Sequence, residues 1–170
     1  MEKKLLLLGV LLSHDVHGYE LSEMLKDNPS IAIEMKKPNT YRLLNALEKD
    51  GLITHTEEQV GNRPTRRVYS ITAAGKEEFR RLLTASIAAY EEPQFPAMVG
   101  FDFISLLPTR ETIELLNQRL EIIEGKVQTF EDLPAEILDA HPTSAYLKNF
   151  YEKEVSWLKE FISQLETQID

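Results

Sequence analysis

Asn39-Thr40-Tyr41-Arg42-Leu43-Leu44-Asn45-Ala46-Leu47-Glu48-Lys49-Asp50-Gly51-Leu52-Ile53 is the stretch on which the fold turns, because the repeat of the chain changes inside it. Tyr41, Leu44, Leu47 and Glu48 follow one another at spacings of three, three and one, the pattern of a helix with one face turned inward. Pro38 suits the first turn of that helix, and Gly51 suits the left-handed residue that ends it. Beyond Gly51 the period shortens. Leu52-Ile53-Thr54-His55-Thr56 favours a strand, Gly61-Asn62-Arg63-Pro64 a turn, and Arg66-Arg67-Val68-Tyr69-Ser70-Ile71 a second strand with β-formers at alternate positions. The two strands make a hairpin, and Thr72 is placed to cap a following helix that runs through Phe79, Leu82 and Leu83.

Toward the N-terminus, Leu5 to Leu12 reads as an almost wholly apolar helix, hence one central in its domain. It follows Glu2-Lys3-Lys4, but it is short and lacks a small-x-small cleavage site, so a buried helix is expected in place of a signal peptide. A second helix starts at His17-Gly18-Tyr19-Glu20-Leu21, with Tyr19, Leu21, Met24 and Leu25 expected on its inner side, and Asn28-Pro29 stops it. Three short helices, a hairpin and one more helix is the order of a winged helix-turn-helix domain. Near its start the third helix offers Lys36, Lys37, Asn39, Thr40, Tyr41, Arg42 and Asn45, which are partners for phosphates and base edges. The hairpin adds Arg63, Arg66 and Arg67, suited to a wing lying along the DNA backbone or a minor groove. Taken singly, Tyr41 also fits a core, the two lysines a solvated helix start, and the arginines an exposed loop. Both basic sets falling at the DNA-facing positions of one fold favours DNA.

Three motifs in order resemble those of the PadR family of transcriptional regulators. The first is His17-Gly18-Tyr19-Glu20-Leu21, the second Asn39 to Ile53, and the third Asn62-Arg63-Pro64-Thr65-Arg66-Arg67-Val68-Tyr69-Ser70-Ile71-Thr72-Ala73-Ala74-Gly75. Together they span about half of the chain. Arg42 stands where the family often has proline, Asn39 where threonine is usual, and Asn62 where glycine is usual. These departures fall on the DNA-facing part and bear on operator preference.

Past residue 90, Glu91-Glu92-Pro93-Gln94-Phe95-Pro96 reads as a linker and Met98 to Leu107 as a short apolar element. A helix is expected from Pro108-Thr109, with Thr109 as its N-cap and a seam of Ile113, Leu116, Leu120, Ile123, Val127 and Phe130. Turns at Leu133-Pro134 and His141-Pro142 lead to a last helix bearing Leu147, Tyr151, Val155, Leu158, Ile162, Leu165 and Ile169, with a second apolar row of Phe150, Trp157 and Phe161. Two rows predict packing within the chain and against a second copy. The resemblance implies the same, since the family dimerises through C-terminal helices. Phe95, Phe101, Phe103, Tyr146, Phe150, Tyr151, Trp157 and Phe161 either line a pocket for a flat aromatic effector or form core and dimer interface.

Composition limits the alternatives. The chain has 170 residues, no cysteine and a net charge of -9. Disulfides and thiolate metal sites are therefore excluded, and a cytoplasmic home is expected. The charge is uneven: residues 1–85 carry 13 basic and 12 acidic side chains, residues 86–170 carry 6 and 16. A weakly basic N-terminal half joined to an acidic C-terminal half suggests two tasks. His14, His17, His55 and His141 show no metal-ligand spacing, Glu57-Glu58 and Glu77-Glu78 read as solvated, and no phosphate loop or nucleophile motif is present. No cofactor, enzyme activity or membrane span is expected; Met98 to Leu107 contains Asp102 and is too short for a bilayer.

The expected molecule is mainly α, with a winged helix-turn-helix DNA-binding domain over 1–90 and a helical dimerisation and effector domain over 98–170. Its expected function is a homodimeric, sequence-specific regulator of transcription, a repressor released from double-stranded operator DNA by a small aromatic effector. An activator on the same scaffold, or a winged-helix module for protein contact, are the alternatives.

Overall fold

The computed structural model describes residues 1–25, 33, 35–59 and 65–169. The chain divides into two compact units, Met1–Glu91 and Glu92–Asp170. Mostly helical, with one small sheet, it has the expected class. In the first unit, α1 (Glu2–Ser13), α2 (Gly18–Met24), α3 (Lys37–Lys49) and α4 (Ala73–Ala88) surround strands β1 (Val16–His17), β2 (Ile53–Glu58) and β3 (Arg66–Ile71). The sheet is antiparallel in the order β1-β3-β2. The hairpin is the expected one, with Ile53 opposite Ile71 and Glu58 opposite Arg66. β1 was not expected: two residues carry no alternation to read, and Val16 and His17 become a strand only by pairing with Tyr69 and Val68. The expected turn at 61–64 and the stop at Asn28-Pro29 lie outside the described residues.

Leu7, Leu8 and Leu11 of α1 are buried at the centre of a core completed by Leu21, Leu44, Leu47, Ile53, Tyr69 and Leu82. Such side chains each contribute roughly 1.5–3 kcal/mol when fully removed from water. The inner side of α2 differs from the expectation. Tyr19 and Met24 are exposed, and the buried stripe is Gly18, Leu21, Ser22 and Leu25. The small residues are there because neighbours come close: a Cβ on Gly18 would lie 3.0 Å from the Tyr69 ring and 3.2 Å from the Tyr41 ring.

α3 ends as its sequence implies. Gly51 has φ of +70°, its amide donates to the Glu48 carbonyl at 2.9 Å, and the Leu52 amide reaches back to Leu47 at 2.9 Å. This is a Schellman closure, and it launches β2 directly from the helix. Thr72 caps α4 as expected, accepting the Gly75 amide at 3.1 Å. Its hydroxyl also lies 2.8 Å from the Gly51 carbonyl.

The second unit holds a 3-10 helix (Pro96–Leu106), α5 (Thr109–Glu131), α6 (Ala135–Ala140) and α7 (Pro142–Glu166). The expected stripes of α5 and α7 meet: Leu116, Ile123, Leu158 and Ile162 are buried together, with Ile113, Leu120, Tyr151, Val155 and Leu165 around them. Arg119 pairs with Glu154 at 2.6 Å and Lys159 with Glu124 at 2.7 Å across the same two helices. Three details differ. Thr109 is the first helical residue and Pro108 takes the cap position without a side-chain bond. α6 occupies what reads as a turn. Ile169 lies past the end of α7.

Candidate nucleic-acid interface

α3 turns Thr40, Leu44 and Leu47 inward, so its outer face carries Pro38, Arg42, Asn45 and Lys49 at spacings of four, three and four. Arg42 and Asn45 are exposed, as expected of base or phosphate contacts. Lys49 belongs to the same face and was missed; counting forward in helical steps from Arg42 finds it. Lys36 and Lys37 are exposed at the helix start, while Asn39 is half-buried. Thr40 is the exception among the candidates. It is fully buried and its hydroxyl donates to the Lys36 carbonyl at 3.4 Å, so it serves the first turn of α3 and offers nothing to a partner.

The wing base borders the same surface. Arg66 and Arg67 are exposed on β3, opposite Glu58 and Glu57 of β2. Cross-strand carboxylates would be natural partners, yet among the described residues neither guanidinium is held in an ion pair. Their charge is therefore available. Arg63 lies outside the described residues. A groove of about 650 Å³ runs between α3, β3 and the first turn of α2, lined by His17, Gly18, Tyr19, Glu20, Tyr41, Asn45, Thr65, Arg66, Arg67 and Tyr69. Tyr41 is both core edge and groove wall: it is half-buried and its ring leans on Gly18. Tyr19, exposed at 59%, stands at the groove with the Lys37 ammonium 5.1 Å from its ring centroid. Hydrophobic periodicity had placed this tyrosine in the core. The glycine before it was the available signal: Gly18 faces the Tyr41 and Tyr69 rings, and the next residue along the helix is turned about 100° away from it. Behind the groove, His55 of β2 bonds Glu48 of α3 and its ring packs 5.8 Å from that of Tyr69.

In the second unit the expected aromatics form two groups. Phe101, Trp157 and Phe161 pack with centroids 5.3–6.3 Å apart, and the Arg119 guanidinium sits 5.3 Å from the Phe101 ring. Phe95, Phe150, Tyr151 and Phe130 form a second chain of ring contacts. Phe103 and Tyr146 join neither group among the described residues and are 60% and 68% exposed. No helix among the described residues is long and apolar enough to cross a membrane.

Comparison with known proteins gives these features a context. Residues 7–81 match the model of the Transcriptional regulator PadR-like family, a span that includes α2, α3 and the hairpin. The negative transcriptional regulator PadR of Bacillus subtilis is 23% identical over 96% of this chain and 97% of its own. The crystal structure of Bacillus subtilis PadR in complex with operator DNA superposes with a TM-score of 0.83 at 20% identity, covering 97% of this chain and 99% of that one. The virulence activator AphA of Vibrio cholerae has a TM-score of 0.73 at 18% identity, covering 97% and 98%. Fold, motifs and family match agree: residues 7–81 of this chain are similar to the PadR-like family of transcriptional regulators.

Proposed function

We propose that this chain is a cytoplasmic, homodimeric regulator of transcription that binds operator DNA through its first unit, acts as a repressor and carries out no catalysis. One observation carries the reading: the outward face of α3 and two wing-base arginines that form no ion pair among the described residues border a single surface. A net charge of -9 opposes DNA binding at long range, so contact has to come from this local basic surface. In a dimer, two α3 helices would enter successive major grooves about 34 Å apart on an inverted repeat. The relative from Bacillus subtilis is described as a negative regulator and has been crystallised with operator DNA and with p-coumaric acid, which supports repression and release by a small aromatic acid.

For the second unit we propose the dimer contact and the effector response. Exposed apolar side chains on its helices, Leu115, Ile122, Tyr146 and Trp157 among them, are costly to leave in water on a monomer. The Phe101-Trp157-Phe161 group beside Arg119 offers stacking surface and a cation to a flat carboxylic acid. Binding there would favour one of two dimer arrangements and so lower the affinity for DNA. Selection of bound duplexes from a random pool, followed by gel shift, tests the reading. An inverted-repeat consensus bound by two chains is the expected result. A pool that never enriches, with binding insensitive to salt, would instead indicate a winged-helix module for protein contact.

A further inference from the structure

The groove beside α3 holds more than the two arginines need. Its floor is made of Tyr41 and Tyr69 rings held against Gly18, and a volume of about 650 Å³ exceeds that of any single ion. Around it stand the guanidinium groups of Arg66 and Arg67 and, through Tyr19, the ammonium of Lys37, against the one carboxylate of Glu20. Two polar groups there lack partners among the described residues: the Tyr19 hydroxyl, on an exposed ring, and His17 Nδ1, which is buried in the groove wall. A basic, open trough with an unpartnered tyrosine hydroxyl and tyrosine walls fits a stretch of sugar-phosphate backbone, since phosphates draw cations and hydroxyl donors while the sugars lie on apolar surface. We propose that this groove seats one strand of the operator backbone, and that Tyr19 is a DNA contact whose hydroxyl donates to a phosphate oxygen while its ring holds the Lys37 ammonium toward the same phosphate. This rests on the DNA-binding reading above and adds the first turn of α2 to the interface.

Tyr19 is well exposed and outside the core, so it can be changed without unfolding the domain. The full-length chain and its selected operator duplex are used, with single phosphates replaced in turn by neutral methylphosphonate. Wild type should lose affinity when the phosphate at this groove is neutralised. Tyr19→Phe removes the hydroxyl only and should weaken binding about tenfold to 100-fold, as for a hydrogen bond to a charged group. The response of Tyr19→Phe to methylphosphonate at that one position should shrink, with responses elsewhere kept. Tyr19→Ala, which also frees Lys37, should bind more weakly still, and both variants should melt as wild type does. Wild-type affinity in Tyr19→Phe, or an undiminished response at every phosphate, would overturn the proposal and leave the DNA-binding reading standing. A wild-type chain that binds no duplex would overturn that reading, and the proposal with it.

Discussion

At Gly75 a single added methyl group would sit 2.0 Å from the Leu52 carbonyl oxygen and 2.7 Å from Ile71 Cγ1. The glycine in Thr72-Ala73-Ala74-Gly75 is there because the start of α4 presses on the start of β2. Gly75→Ala should therefore destabilise the first unit by about 1–3 kcal/mol or more, measured by chemical denaturation, since backbone is what it meets. A variant as stable as wild type would mean that the helix start moves freely. On the interface, Arg66→Ala and Arg67→Ala should each lower the slope of log affinity against log salt by about two, one for each chain of the dimer, for all sequences alike. An unchanged slope would take the wing base off the phosphates. Tyr41 was legible as a motif residue but not as core or contact, because its half-buried ring is both. Tyr19 was misread outright: apolar spacing cannot reveal that Gly18 and Ser22, side chains with no hydrophobic signal, are the ones facing inward.

Among elements, the helices with long apolar stripes and the alternating strands of the hairpin were readable, while β1 and α6 were not. α5 and α7 show their buried stripes over six or seven residues each, whereas β1 is made by its partner strand and α6 spans six residues. Leu158, with no exposed surface, lies where the two stripes meet. Leu158→Ala should cost about 2–5 kcal/mol; a smaller loss would mean that the pair repacks easily. The junction of α1 and α4 is electrostatic at its edge. Glu78 bonds Arg81 at 2.7 Å and Lys4 at 3.1 Å, and these two cations hold its carboxyl down to about 2. The folded state thus binds that proton less readily than the unfolded chain, in which the group titrates at its ordinary 4.5. Its contribution to stability is in place above that pH and is lost as pH falls toward about 2. Glu78→Gln should flatten the fall of stability across this window, read by thermal melts at successive pH values. A parallel fall in both proteins would show that the cations contribute nothing there.

For the whole molecule, the first unit supplies a local basic surface on a chain of net charge -9, and the second leaves apolar side chains of α5 and α7 exposed, Ile122 and Trp157 among them. The uneven charge along the sequence suggests two tasks, while the absence of an ion pair at Arg66 and Arg67 among the described residues required coordinates to see. Truncation after Ala140 removes α7 and should give monomeric or insoluble protein with operator affinity reduced about 100-fold or more, because the half-sites would no longer be engaged as one unit. Light scattering and gel shift would show it, and a soluble truncated dimer with full affinity would place the dimer contact elsewhere. The most direct test of the central claim is the affinity of the full-length chain for its selected operator, measured as salt is raised. With Lys37, Arg66 and Arg67 of two chains on phosphates, log affinity should fall against log salt with a slope of about -5, and a scrambled duplex should bind roughly 1,000-fold more weakly or worse. A flat salt dependence, or equal affinity for operator and scrambled duplex, would contradict the account.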